Sequence, residues 1–262
     1  MTLSYQTVGH GPVHVLCAHA WPASGATFAP MHPYLDEEEM TWVFPDFRGY
    51  GSSAAISGRL TTQEMAQDLL AVADELQWDS FHLVGHSMGG KAAQLLSGSH
   101  QARARIRTLS LISAVPSRGF PLDAASEKHF TSAAHEPDVM ADVVTTLTAG
   151  RLGPQFGRHL AAIGTDTASA ATLEAYLRAW SAEDVSAEID GYVNPVLILS
   201  GEFDPVLSAG LAAEQIAPQF IDVRQAVVAA AGHFPPVEAP ARTAALVVAH
   251  ILNRPESVTP DR

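Results

Sequence analysis

The stretch HLVGHSMGGKAAQ, residues 82–94, places Ser87 between Gly85 and Gly89 at the junction of two different patterns. Upstream, Phe81 to Val84 is a short apolar run of the kind that forms a buried strand. Downstream, Met88 to Ser97 is rich in Ala and Leu at helical spacing. A strand that turns at once into a helix holds the residue at the turn in a strained conformation. It requires glycine on either side, because side chains at 85 and 89 collide with neighbouring chain. The Ser87 hydroxyl then projects beyond the carboxyl end of a sheet, near the positive end of the following helix. The spacing therefore marks Ser87 as a candidate nucleophile, provided the rest of the chain supplies a base, an acid and oxyanion donors.

Further apolar, β-branched runs read as strands at Val13 to Ala18, Trp42 to Phe44, Leu109 to Ile112, Val196 to Leu199 and, more weakly, Ile221 to Val228. Helix-length patterns lie between most of them: Ala26 to Leu35, Thr62 to Leu76, Leu207 to Ile216 and Ala241 to Leu252. Nearly continuous apolar strands alternating with helices predict a parallel sheet covered on both faces. From about Val115 to Asp190 the alternation stops, and patterns such as Pro137 to Thr148 and Ala170 to Trp180 are helical without a clear strand. We read a core formed by residues 1–114 and 191–262, with a helical cap inserted at 115–190.

Length and charge narrow the function. A chain of 262 residues suits one large domain with an insertion. Its 15 Lys and Arg against 28 Asp and Glu, a net charge of −13, argue against a phosphate backbone as partner. Cys17, the one cysteine, lies in an apolar strand and reads as a small buried hydrophobe. The N-terminal pattern lacks a basic segment followed by an apolar one, and no apolar run approaches the ~20 residues of a membrane span. The expectation is a soluble, cytoplasmic monomer or homodimer that acts on a small molecule without nucleic-acid or membrane partners. No H-E-x-x-H, cysteine pair or phosphate-binding loop appears, so neither metal nor cofactor is expected.

With these motifs in place the chain resembles the α/β-hydrolase family over nearly its whole length. The family often carries one further N-terminal strand ahead of "LSYQTVG", so the resemblance implies about seven strands here. "HAWP", His19 to Pro22, follows the first long strand where the family usually has His-Gly and then an oxyanion donor. Matched by position, the main-chain N–H groups of Trp21 and Met88 are implied as that pair. Ala20 departs from the usual glycine. "FPDFRGYGSS", Phe44 to Ser53, resembles a family turn that is mainly structural, which implies a structural role for Asp46 and Arg48. "VLILSGEFDPV" offers Asp204 as the triad carboxylate, with Glu202 as a competitor expected deeper in the turn. "AAAGHFPPVEAP" gives His233 as the base, and the order Ser, Asp, His is that of the family. His19 and His86 are expected to shape the site without titrating in the mechanism, and Phe120, Phe130, Met140, Phe156 and Trp180 to line a pocket.

The resemblance implies a serine hydrolase acting on an ester or lactone through an acyl-enzyme. Serine at the elbow argues against haloalkane dehalogenases and epoxide hydrolases, which use a carboxylate there. Perhydrolase chemistry in the manner of cofactor-free haloperoxidases is a possible side activity. A cofactor-independent dioxygenase and a carbon–carbon bond hydrolase remain as alternatives, and a non-enzymatic ligand receptor as the remaining one.

Overall fold

The computed structural model describes residues 2–253. Seven strands form one sheet: β1 (Tyr5–Val8), β2 (Val13–Ala18), β3 (Met40–Pro45), β4 (Phe81–His86), β5 (Ile106–Ile112), β6 (Val196–Gly201) and β7 (Val223–Val228). Their spatial order is β1-β3-β2-β4-β5-β6-β7. Every pair is parallel except β1 with β3, which is antiparallel. The seventh strand, β1, lies outside the runs read as strands because its residues Tyr5-Gln-Thr-Val are only partly buried and carry no continuous apolar signal.

Side chains alternate across this sheet with period two, so successive residues of one strand feed different cores. Leu16 and Ala18 of β2 pack into one core with α1 (Thr62–Glu75) and α2 (Met88–Gly98). Val15 and Cys17 pack into the other, against Phe28 and Met31 and against α9 (Pro240–Ile251). The segment read as a helix from Ala26 to Leu35 is instead a 3-10 helix, Gly25–Tyr34, because Pro30 and Pro33 remove the donors an α-helix needs there. The pattern at Leu207 to Ile216 contracts to α7 (Ala209–Gln215), with Ser208 as its N-cap.

Four helices fill the chain between β5 and β6: α3 (Ala124–His135), α4 (Pro137–Leu147), α5 (Gly153–Thr165) and α6 (Ala170–Ala182). The short α8 (Pro235–Glu238) follows β7. Among the described residues no helix is long and apolar enough to cross a membrane.

Candidate active site

The elbow shows why its sequence is what it is. Ser87 sits at φ 53°, ψ −115°, a conformation that costs a non-glycine residue strain and persists only where packing over-determines it. A Cβ on Gly85 would lie 2.6 Å from the carbonyl oxygen of Gly89, and one on Gly89 would lie 2.4 Å from that of Ala18. Both are contacts with backbone, which has no room to yield. The N–H of Gly89 donates to the carbonyl of His19 at 3.1 Å, tying the start of α2 to the loop after β2.

Three loops at the carboxyl ends of β4, β6 and β7 bring together Ser87, Asp204 and His233. The His233 Nε2 lies 2.9 Å from Ser87 Oγ, and its Nδ1 lies 2.9 Å from Asp204 Oδ2. All three residues are buried. Asp204 Oδ1 accepts from the N–H groups of Val206 at 3.0 Å and Leu207 at 2.9 Å. Burial by itself raises the pKa of this carboxyl, but the His233 imidazole and these main-chain donors outweigh it and hold Asp204 ionised below the ordinary carboxylate range. Glu202 is exposed rather than deep in the turn. Its carboxylate accepts from Ala230 N–H at 2.9 Å and so braces the loop after β7, while the His233 imidazole pairs with Asp204.

Among the described residues, the N–H groups of Trp21 and Met88 donate to no protein acceptor, whereas those of Gly89, Gly90 and Lys91 are all engaged. Ala20 is not among the described residues with positive φ, so the alanine in place of the usual glycine meets no left-handed backbone strain. The Trp21 indole donates to Leu173 O at 2.9 Å, which anchors this loop to α6.

A cavity of about 280 Å³ opens over Ser87 and His233. Phe120, Phe130 and Trp180 line it, together with Trp21, Leu147 and Leu207, and none of its lining residues is an Asp, Glu, Lys or Arg. The rings of Trp21, Phe130 and Trp180 pack on one another with centroids 5.4–5.9 Å apart. Met140 and Phe156, expected to line a pocket, are not among the residues of this wall, and neither are His19 and His86. Met140 is buried inside the four-helix insertion, and Phe156 packs on the flank of the main core. His19 is enclosed beneath its loop, its Nδ1–H donating to Ala20 O at 2.8 Å and its Nε2 accepting from Phe47 N–H at 3.0 Å. His86 faces the opposite side of the elbow, and its Nε2–H donates to the main-chain oxygen of His233 at 2.8 Å. Burial, then the neighbouring His233, pushes the pKa of His86 down to about 3, so it is neutral. Helical periodicity reports which face is apolar but not whether that face meets a cavity or a core, and Met140 and Phe156 face the core.

Asp46 and Arg48 are braces. Asp46 accepts from Gly25 N–H and Ser52 N–H, each at 2.8 Å, and Arg48 forks onto Asp68 at 2.6 and 2.7 Å. Among the described residues no group of three His, Cys, Asp or Glu side chains is arranged to hold a metal ion.

A mostly parallel sheet, a strained serine between its fourth strand and the following helix, and a histidine and carboxylate on later loops define the α/β-hydrolase class. The signature of the alpha/beta hydrolase fold family matches residues 13–240, and the chain belongs to that family. It is 25% identical over 222 residues to the AB hydrolase superfamily protein YisY of Bacillus subtilis, covering 82% of each chain. Its fold is similar to that of an esterase from Exiguobacterium antarcticum, with TM-score 0.84, 20% identity and 95% of each chain covered. The enol-lactonase from Burkholderia xenovorans is also similar, with TM-score 0.79, 22% identity and 96% of each chain covered.

Proposed function

We propose that the protein is a serine hydrolase that cleaves a carboxylic ester or lactone of a small, largely apolar substrate through an acyl-enzyme. The observation that carries this reading is the continuous hydrogen-bonded line from Ser87 through His233 to Asp204 beneath an uncharged cavity. His233 takes the Ser87 proton as Oγ attacks the carbonyl carbon, and Asp204 holds the imidazole tautomer and stabilises the cation that forms. The free N–H groups of Trp21 and Met88 receive the oxyanion, each contributing about 3 kcal/mol as judged by removal of such donors. His233 then protonates the departing alkoxide. Water activated by the same imidazole releases the acid and restores Ser87.

The four-helix insertion acts as the cap in this reading, since Phe120, Phe130 and Trp180 supply the acyl wall. An apolar wall without charged side chains favours a neutral acyl group over a sugar or phosphate ester. Kinship with folds that include an esterase and a lactonase supports the ester and lactone class.

The test is hydrolysis of p-nitrophenyl esters from acetate to octanoate by the wild type and Ser87→Ala in parallel. Nitrophenol release that disappears in a folded Ser87→Ala protein is expected. Full activity in that variant overturns the scheme.

A further inference from the structure

Lys91 stands four residues beyond Ser87 on α2, in a stretch otherwise composed of glycine, alanine, glutamine and leucine, and it is 0% exposed. A buried ammonium is expensive unless every proton finds an acceptor. Its Nζ donates to the carbonyls of Ala179 at 2.7 Å, Trp180 at 3.3 Å and Glu183. Three protons therefore meet three carbonyls at the C-terminal end of α6, where helix carbonyls lack partners and the helix dipole is negative.

The same turn shapes the cavity. Trp180 lines it directly, and the carbonyl of Ser181, between the residues that Lys91 holds, accepts the N–H of Phe120 at 3.0 Å, a second lining residue. At its other end Lys91 is tied to the elbow, since its N–H donates to the carbonyl of Ser87 at 3.2 Å. One residue thus spans from the backbone of the serine to the wall above it.

We propose that Lys91 is a positioning residue for acyl-group selection: it fixes the last turn of α6 so that Trp180 and Phe120 close the cavity over Ser87. This rests on the serine-hydrolase reading. Lys91 touches no substrate in this scheme, and its effect travels through the α6 carbonyls. Burial pushes its pKa down to about 8, partly countered by the carboxylates of Glu183 and Asp184 on the segment after α6. From α1 the facing group is the uncharged Thr62, whose hydroxyl shares the Ala179 carbonyl at 3.2 Å. A neutral amine has two protons for three carbonyls, so the clamp loosens as Lys91 loses its charge.

The experiment measures kcat and KM of wild type and Lys91→Met across the p-nitrophenyl series, with the melting temperature of each. The preferred long-acyl ester is expected to lose about tenfold in kcat/KM through KM, while kcat for acetate stays within about threefold. An equal loss across all esters, or no loss, overturns the proposal. Binding of the neutral fluorophore N-phenyl-1-naphthylamine to Ser87→Ala, with and without Lys91→Met, separates this from the hydrolase reading. Affinity about tenfold weaker in the double variant supports the clamp even if no ester is turned over, and unchanged affinity overturns it. Should Lys91→Met fail to fold, the wild-type ratio of kcat/KM for the preferred ester to that for acetate is followed from pH 7 to 9.5. Effects on the shared triad cancel in that ratio. A fall above pH 8 supports the proposal, and a flat ratio overturns it.

Discussion

Glu238 accepts hydrogen bonds from both main-chain N–H groups that flank His233: Gly232 at 2.8 Å and Phe234 at 2.9 Å. Its carboxylate is fully enclosed and paired with Arg151 at 2.9 Å. The loop that carries the imidazole is therefore gripped on either side of it. Glu238→Ala is expected to free that loop and lower kcat on the order of 100-fold, the cost of about 1 Å of misplacement at a reacting group. Glu238→Gln should fall between, because its amide turns one acceptor into a donor facing an N–H. Wild-type kcat in Glu238→Ala would show that the loop is held by other means.

Buried neutral histidine makes stability depend on pH. His86, with its pKa pushed down to about 3, stays neutral in the folded chain, while in the unfolded chain it protonates below its ordinary value of 6.5. Its stability contribution is complete above that unfolded value and is lost as pH falls from 6.5 towards 3. Within this window the folded state binds one proton fewer, worth about 1.4 kcal/mol per pH unit. His82, lowered to about 4 chiefly by burial, adds in the same direction. Urea unfolding at pH 4.5 and 5.5 should give a slope that is flatter in His86→Gln by about 1 kcal/mol per pH unit. Identical slopes in the two proteins would mean that His86 is charged or exposed.

Two glycines with different surroundings separate steric need from backbone preference. Gly85→Ala drives a Cβ to 2.6 Å from both Gly89 O and Gly90 Cα, so the elbow itself must move. A loss of about 3 kcal/mol, with most of the activity, is expected from overpacking against backbone. Gly150 has φ +66° with nothing within 4 Å of a built Cβ, so Gly150→Ala should cost only about 1 kcal/mol of left-handed strain and leave turnover unchanged. Equal melting temperatures for the two variants would contradict the crowding at Gly85.

These cases also show what a sequence can disclose. Ser87 was legible because a strand pattern ends and a helical one begins there, whereas Asp204 and His233 were implied by the resemblance to the family, whose order of serine, aspartate and histidine they match. The strands were legible where apolar runs were continuous, and β1 was not, because this edge strand carries exposed polar residues, Gln6 and Thr7, on both of its faces. The roles of Glu238, His86 and Lys91 depend on carbonyls and N–H groups brought together across as many as 147 residues, as in the bond from His86 to His233, and main-chain groups leave no mark in a sequence. Lys91 did offer a clue: a lone cation in the apolar repeat after Gly90 invites the question of what neutralises it.

Asp204 is bound in a way that predicts the effect of its amide. Its Oδ1 is committed to the N–H groups of Val206 and Leu207, so in Asp204→Asn the amide oxygen must occupy that position. The NH₂ then faces His233 Nδ1, which must act as acceptor and carry no proton. The proton moves to Nε2, the atom 2.9 Å from Ser87 Oγ, and the imidazole can no longer remove the serine proton. A fall in kcat of about 10⁴ is expected for this tautomer, with the melting temperature little changed because shape and main-chain hydrogen bonds persist. Ser87 should also lose reactivity towards a fluorophosphonate by a similar factor. If Asp204→Asn hydrolyses p-nitrophenyl acetate within tenfold of wild type, the carboxylate is not what orients His233.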